Sequence, residues 1–342
     1  MPTSKMESEI NQTPEVIKRL VENHQQFDFV VTKINSSSIK SVMIAARGTS
    51  DNAAHFLKQL IEVELGIPVG LASPSVVSVY GAKLKYQDTL VIALSQSGQS
   101  PDLVAYVVAA KEGGGLTLGI TNDANSPLAK AVELHLDLLA EKEIAVAATK
   151  SYTAQLFVSL LLVNYWKGVT PGIEGVGKEA TRVLGATDGL ENILNSLSAK
   201  HSIVALGRGF SYGNARELAL KIQETSHIPV QGMSSADYLH GPIAAVDEET
   251  RVLVLSPRGT YSEGLKEAIT KLRAITKHLI WIGDGSWAKE GELVLTGSMI
   301  ENEEISTVLD AILLQMIACR FAIKNGFNPD SPRGLSKVTL TT

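Results

Sequence analysis

The sequence predicts an α/β chain of two tandem, doubly wound, mostly parallel sheets, each flanked by helices. Three observations carry this expectation. Short apolar runs alternate with amphipathic segments along nearly the whole chain. One run, Leu90 to Leu94, is wholly apolar, as a strand buried on both faces requires, and it breaks off into Ser95-Gln96-Ser97-Gly98-Gln99-Ser100. The pattern then recurs. Arg47-Gly48 returns as Arg208-Gly209, Ile67-Pro68-Val69 as Ile228-Pro229-Val230, Val91 to Ser95 as Val252 to Ser256, and Gly98 as Gly259, each 161 residues on. Four landmarks at one spacing indicate two copies of one unit.

The elements follow in order. Thr13-Pro14-Glu15 combines a cap, a first-turn proline and an early acid, so a helix starts there. Ser41 to Ala46 reads as a strand, Arg47 to Asn52 as a polar loop, and Ala53 to Leu65 as a long amphipathic helix that Gly66 ends. After the strand at Leu90, Ser100 fits an N-cap and Pro101 the first turn of a helix. Gly113-Gly114-Gly115, a strand at Leu116 to Ile120 and a polar turn at Thr121 to Ser126 come next. Pro171 and the glycines at 168, 172, 175 and 177 mark a linker. The boundaries expected are an N-terminal helix over 1–24, a first domain over 25–166, a linker and helix over 167–196, a second domain over 197–328 and a C-terminal tail over 329–342.

The 342 residues suit two domains of roughly 150 each. A net charge of −5, with no Lys/Arg cluster, gives no footprint for nucleic acid. The single cysteine, Cys319, cannot form an internal disulfide, and a reducing, cytoplasmic setting is expected. The first ten residues lack the apolar stretch of a signal peptide. Leu156 to Trp166, broken by Ser159 and Asn164, is too short for a bilayer and reads as a buried helix at a subunit contact. No membrane partner is expected. Seven histidines without close ligand pairs imply no metal. Gly207-Arg208-Gly209 nearly fits a dinucleotide fingerprint, but Tyr212 stands where the third glycine belongs, so NAD is rejected and no cofactor is expected.

The loop after Leu94 has the makings of an anion site. It offers free backbone N–H groups, the positive end of a helix dipole and several hydroxyls. It holds no lysine and no P-loop spacing, which suits one phosphate group on a small molecule; an ordinary capped turn is the alternative. The second copy reads S-P-R-G-T-Y at this place, with Pro257 removing a donor, so its loop is expected to be vestigial. Other candidates have ordinary readings when taken singly. Lys221 and Glu224 fit an exposed i, i+3 ion pair, and His240 fits a turn histidine in Leu239-His240-Gly241-Pro242. Thr149 fits a helix cap before Lys150, and Lys337 fits a solvated tail.

The ordered set of motifs changes this weighing. R-G-T-S at 47–50, L-S-Q-S-G at 94–98, V-A-A-T-K at 146–150, L-K-I-Q-E-T at 220–225, L-H-G-P at 239–242 and P-R-G-L-S-K at 332–337 resemble the SIS (sugar isomerase) family. Within it, the chain is similar to the isomerase half of glucosamine-6-phosphate synthase and more so to stand-alone glucosamine-6-phosphate deaminases. The resemblance runs from about residue 40 to the end. It implies two tandem SIS domains of flavodoxin-like or Rossmann-like form, the first binding phosphate. Thr49, Ser50, Ser95, Gln96, Ser97 and Ser100 would hold the sugar phosphate, with Arg47, Val146 and Ala148 as further substrate contacts. Glu224 would move a proton between C1 and C2, a role that needs a carboxylate shielded from water. His240 would assist ring opening from the neighbouring subunit of a homodimer, and Lys221 would tune charge near Glu224. Lys337 would lie over the sugar's carbonyl end, in a tail that closes the active site. Ala148 departs from the serine usual in the synthase, as do Gln99 from an acid and Ser100 from threonine.

The expected function is therefore an aminosugar-phosphate isomerase/deaminase, converting glucosamine-6-phosphate to fructose-6-phosphate and ammonia. Two alternatives stay open. One is a deglycase for a fructosamine-6-phosphate. The other is a non-catalytic sugar-phosphate regulator, although the segment before residue 40 is too short and insufficiently basic for a DNA-binding helix-turn-helix. The only cysteine being Cys319, a glutamine-hydrolysing half is not expected.

Overall fold

The computed structural model describes residues 3–170, 172–259 and 264–337. The chain folds into two compact units, one of residues 15–143, 150–174 and 336–342, the other of residues 1–14, 144–149 and 175–335.

The first unit is built on a five-stranded sheet of β1 (Ser41–Ala45), β2 (Val69–Leu71), β3 (Thr89–Ser95), β4 (Leu116–Thr121) and β5 (Leu134–Asp137), in the order β2-β1-β3-β4-β5. Every pairing is parallel. All seven residues of β3 are buried, as the unbroken apolar run requires of a central strand covered on both faces. The second unit repeats the plan with β6 (Ile203–Gly207), β7 (Val230–Ser234), β8 (Arg251–Ser256), β9 (Leu279–Gly283) and β10 (Leu293–Thr296), in the order β10-β9-β8-β6-β7. Read from β7, this is the strand order of the first sheet.

The repeat holds at the level of residue pairing. Val42 lies opposite Val69 and Leu90. The residues 161 further on, Ile203, Val230 and Arg251, pair in the same way. The spacing slips by one residue at the fourth strand, where Val91 opposite Thr117 becomes Val252 opposite Leu279. Even the helix ends correspond. Gly66 caps one helix in the left-handed conformation at φ +67°, and His227 caps its counterpart at φ +56°.

Two expectations need correction. The helix after β1 runs Gly48–Leu65, so Thr49 and Ser50 stand in its first turn and not in a preceding loop. The turn closes on the backbone: Ser50 N and Asp51 N donate to Arg47 O at 3.1 and 3.3 Å, and Arg47 makes no side-chain cap. The apolar run at Leu156 belongs to the helix Lys150–Lys167, whose residues 150–163 are all buried within this chain, so no subunit contact is needed to cover it. The longest apolar helix is Glu303–Lys324, long and apolar enough to cross a membrane by composition alone, but 94% of its apolar window is buried inside the protein. It carries Cys319, a buried free thiol that burial pushes up to about 11.

Candidate active site

In a doubly wound sheet, the crevice for a ligand opens where the strand order reverses, at the carboxyl ends of the strands. In the first unit that point lies between β1 and β3. The helix Gly48–Leu65 starts at the end of β1 and the helix Pro101–Glu112 at the end of β3. Two helix N-termini, the positive ends of their dipoles, therefore flank the reversal point, an arrangement that favours an anion.

The predicted hydroxyls lie in these two turns. Ser95 is buried, and its Oγ accepts from Gly98 N at 3.1 Å, closing the loop on itself. Ser97 Oγ accepts from Gln99 N at 3.3 Å. Gly98 sits at φ +62°, and a Cβ there would meet Ser126 Oγ at 2.2 Å, so the turn is open only to glycine. Gln96, Ser97 and Ser100 are half-buried. Ser100 has the extended backbone of an N-cap, but its side chain makes no capping bond. This corrects the simplest cap reading: that hydroxyl is not spent on the helix. Thr49 is half-buried, and Ser50 is buried with its Oγ accepting from Gln155 Nε2 at 2.8 Å.

Arg47 has a partner inside the protein. Its Nε and Nη2 donate to Asp102 Oδ2 at 3.0 and 2.9 Å, and the Asp102 side chain is almost completely buried. The guanidinium thus ties the two turns together, and a phosphate here would be met chiefly by N–H and O–H donors. Asp102 was missed by the sequence reading. Its only signal was an acid in the first turn after Pro101, which resembles any helix start.

Lys337 belongs to the same unit. Its Nζ donates to Glu143 Oε2 at 2.7 Å. Glu143 is buried, and also accepts from Ser151 N at 3.1 Å and Ser151 Oγ at 2.7 Å.

The second unit holds Lys221, Glu224, His240, Val146 and Ala148. The first two lie on the helix Tyr212–Ser226. Lys221 is fully buried, contrary to the exposed pair expected. Its Nζ lies 3.5 Å from Glu217 Oε1 and is hydrogen-bonded to Glu224 Oε2. Glu217 is also fully buried, whereas the Glu224 side chain is 21% exposed. Glu217 was missed, although its signal was present: positions 217, 221 and 224 are spaced i, i+4, i+7 and must share one helix face. His240 ends the short helix Ser235–Leu239 and is exposed. Val146 and Ala148 are half-buried in a segment pinned at both ends. Glu9 accepts from Ile144 N and Ala145 N, and Gln315 Nε2 donates to Thr149 O at 2.9 Å.

At the second copy's equivalent turn a side chain from a later helix, Glu303, comes close. A Cβ on Gly259 would lie 2.6 Å from Glu303 Cβ, and one on Gly209 would lie 3.5 Å from Glu303 Oε1. The matching Gly48 of the first copy faces nothing within 4 Å. Arg258, which replaces Ser97, pairs with Glu301 at 3.1 Å. Thr260 and Tyr261 of this loop lie outside the described residues, as do Pro171 of the linker and residues 338–342 of the tail.

Duplicate parallel sheets, the first with hydroxyls at its reversal point, define a tandem α/β protein. The chain belongs to the SIS domain family, which matches residues 37–165 and 196–324. It is 32% identical to glutamine–fructose-6-phosphate aminotransferase (isomerizing) of Pseudomonas putida, across 97% of this chain and 58% of that protein. The chain thus spans a little over half the length of the curated relatives it matches. Among solved structures, a candidate phosphosugar isomerase from Silicibacter pomeroyi superposes with a TM-score of 0.84 at 29% identity, covering 96% of this chain and all of that one. The glucosamine-6-phosphate deaminase of Thermotoga maritima shares the fold, with a TM-score of 0.80 at 23% identity over 99% of this chain and all of that one.

Proposed function

We propose that this chain is an enzyme of the phosphosugar isomerase class, and that it acts on an aminosugar phosphate, taking glucosamine-6-phosphate to fructose-6-phosphate and ammonia. The observation that carries the reading is the buried Lys221 fixed between Glu217 and Glu224, of which only Glu224 reaches solvent. A carboxylate held by a buried cation and open on one side is suited to accept and return a proton. The phosphate is assigned to Thr49, Ser50, Ser95, Gln96, Ser97 and Ser100, and further sugar contacts to Arg47, Val146 and Ala148.

The chemistry starts from the open-chain aldehyde. Glu224 takes the proton from C2, leaving an enolamine with negative charge on O1, and returns the proton to C1, while O1 takes up the proton that the C2 iminium nitrogen gives up. The resulting C2 ketimine adds water and releases ammonia, leaving the ketose. His240 assists ring opening; its exposure supports a role in a partner subunit's site and hence a homodimer. Lys337 works at the carbonyl end. A cytoplasmic location is part of the proposal and fits the single, unpaired cysteine.

The test is direct. Purified protein is incubated with glucosamine-6-phosphate, and ammonia and fructose-6-phosphate are measured together. Equal amounts of both are expected, and Glu224→Gln is expected to lower kcat by roughly 10²-fold or more, as for loss of a general base. Tight binding without turnover would overturn the enzyme reading in favour of a sugar-phosphate sensor. A fully active Glu224→Gln would overturn the assignment of the base.

A further inference from the structure

We propose that Glu143 is the positioning residue for Lys337: a preformed, buried carboxylate socket that sets where the tail amine stands. The inference rests on the reading that Lys337 acts at the sugar's carbonyl end, and it adds the group that places it.

The socket is built without the tail. Glu143 stands just before the helix Lys150–Lys167, and its side chain is completely buried. Ser151, in the first turn of that helix, donates to it from both N and Oγ, at 3.1 and 2.7 Å. These donors fix the carboxylate at a helix N-terminus, where negative charge is favoured. The nearby Lys150 donates from Nζ to Lys142 O at 2.9 Å. One further direction on Glu143 Oε2 is taken by Lys337 Nζ at 2.7 Å.

The tail side of the contact is different in kind. Residues 333–336 are all exposed, whereas Lys337 is half-buried. An ion pair between two mobile surface side chains is worth little, because both must be ordered to make it. Here one partner is already ordered and desolvated, so only the lysine loses freedom on pairing. The amine is thereby given a fixed location, 194 residues from its partner in sequence.

Glu143→Gln tests this, because it preserves shape and an acceptor for Ser151 while removing the charge. Two readouts are taken on folded protein. The first is the rate at which Lys337 is acylated by an N-hydroxysuccinimide ester, read by mass spectrometry against the exposed Lys111. The second is kcat and KM with glucosamine-6-phosphate. Losing a charge-assisted bond predicts acylation of Lys337 about 5-fold faster or more, and kcat about 10-fold lower with KM little changed. Glu143→Asp, which keeps the charge, is expected to recover much of the protection of Lys337.

Unchanged acylation in a folded Glu143→Gln overturns the proposal, whatever the activity. Faster acylation with kcat and KM both unchanged also overturns it, since Glu143 would then anchor the tail without serving the reaction. If the unmodified chain turns over no sugar phosphate, the functional reading fails, while acylation still decides whether Glu143 holds Lys337. If Glu143→Gln does not fold, Ser151→Ala takes its place, loosening the socket while keeping its charge. Acylation of Lys337 is again expected to rise, and an unchanged rate overturns the proposal.

Discussion

Replacing Asp310 by asparagine should remove a pH dependence of stability that arises from one buried group. Asp310 lies on the helix Glu303–Lys324, in the second unit, and is completely buried. Its Oδ1 accepts from Ser298 N at 2.7 Å, while Oδ2 has no hydrogen-bond partner among the described residues. Glycines make room for it: a Cβ on Gly297 would fall 2.1 Å from Oδ1, and one on Gly283 would fall 2.7 Å from Oδ2. Burial pushes its carboxyl up from 3.8 to about 7, and Glu179 adds to the rise; the Ser298 N–H, Arg182 and Arg258 oppose it.

The folded state therefore holds this proton more tightly than the unfolded chain does. The stabilisation is complete below about pH 4 and is lost as pH rises through about 7. Between pH 5 and pH 8 the loss comes to about 2–3 kcal/mol, from roughly 1.4 kcal/mol per pH unit over the range in which only the folded state keeps the proton. The amide of Asp310→Asn mimics the neutral acid at every pH. Urea unfolding of both proteins at pH 5 and pH 8 should show the variant gaining about 2–3 kcal/mol relative to the parent over that interval. All other titrating groups are common to the two proteins and cancel. Parallel pH profiles would refute the argument and mean that Asp310 is ionised in the folded protein at pH 5.

The two reversal-point glycines should behave differently when replaced. Gly98→Ala must displace Ser126 Oγ, which caps the next helix through Ala129 N, and should weaken sugar-phosphate binding by about 10-fold or more in calorimetry. Gly48→Ala, at φ +53° in open space, should cost only about 1–2 kcal/mol of backbone strain in an unfolding titration; equal binding losses in the two would contradict the geometry. Glu217→Gln should destabilise the fold by about 2 kcal/mol or more, because it leaves the buried Lys221 ammonium with less compensating charge. A change below about 0.5 kcal/mol in urea unfolding would mean that Lys221 does not depend on Glu217.

The parts of the site that were legible in the sequence were local ones. Ser95 to Ser100 sit between a buried strand and a helix start, and such a turn is dictated by its neighbours in the chain. The partners were illegible because they come from far away. Asp102 meets Arg47 across 55 positions, and Glu143 meets Lys337 across 194. The ordinary reading of Lys221, half of an exposed pair, failed in another way. An i, i+3 Lys-Glu spacing is the same whether the helix face is wet or dry, and only the packing around the helix makes the lysine one of the most buried side chains in the protein.

By itself, the sequence determined the class of fold, the duplication and the copy that kept its hydroxyls. Apolar periodicity sets which segments become strands and helices, and a spacing of 161 residues survives as strand register. Tertiary structure alone decided which charges are paired and which side chains approach each turn. Glu303 approaches Gly209 and Gly259 from another part of the chain, and Glu143 waits for Lys337 at a helix start. The physical reason is burial: the cost of an unpaired charge depends on the water removed around it, and that is fixed only once distant segments have packed.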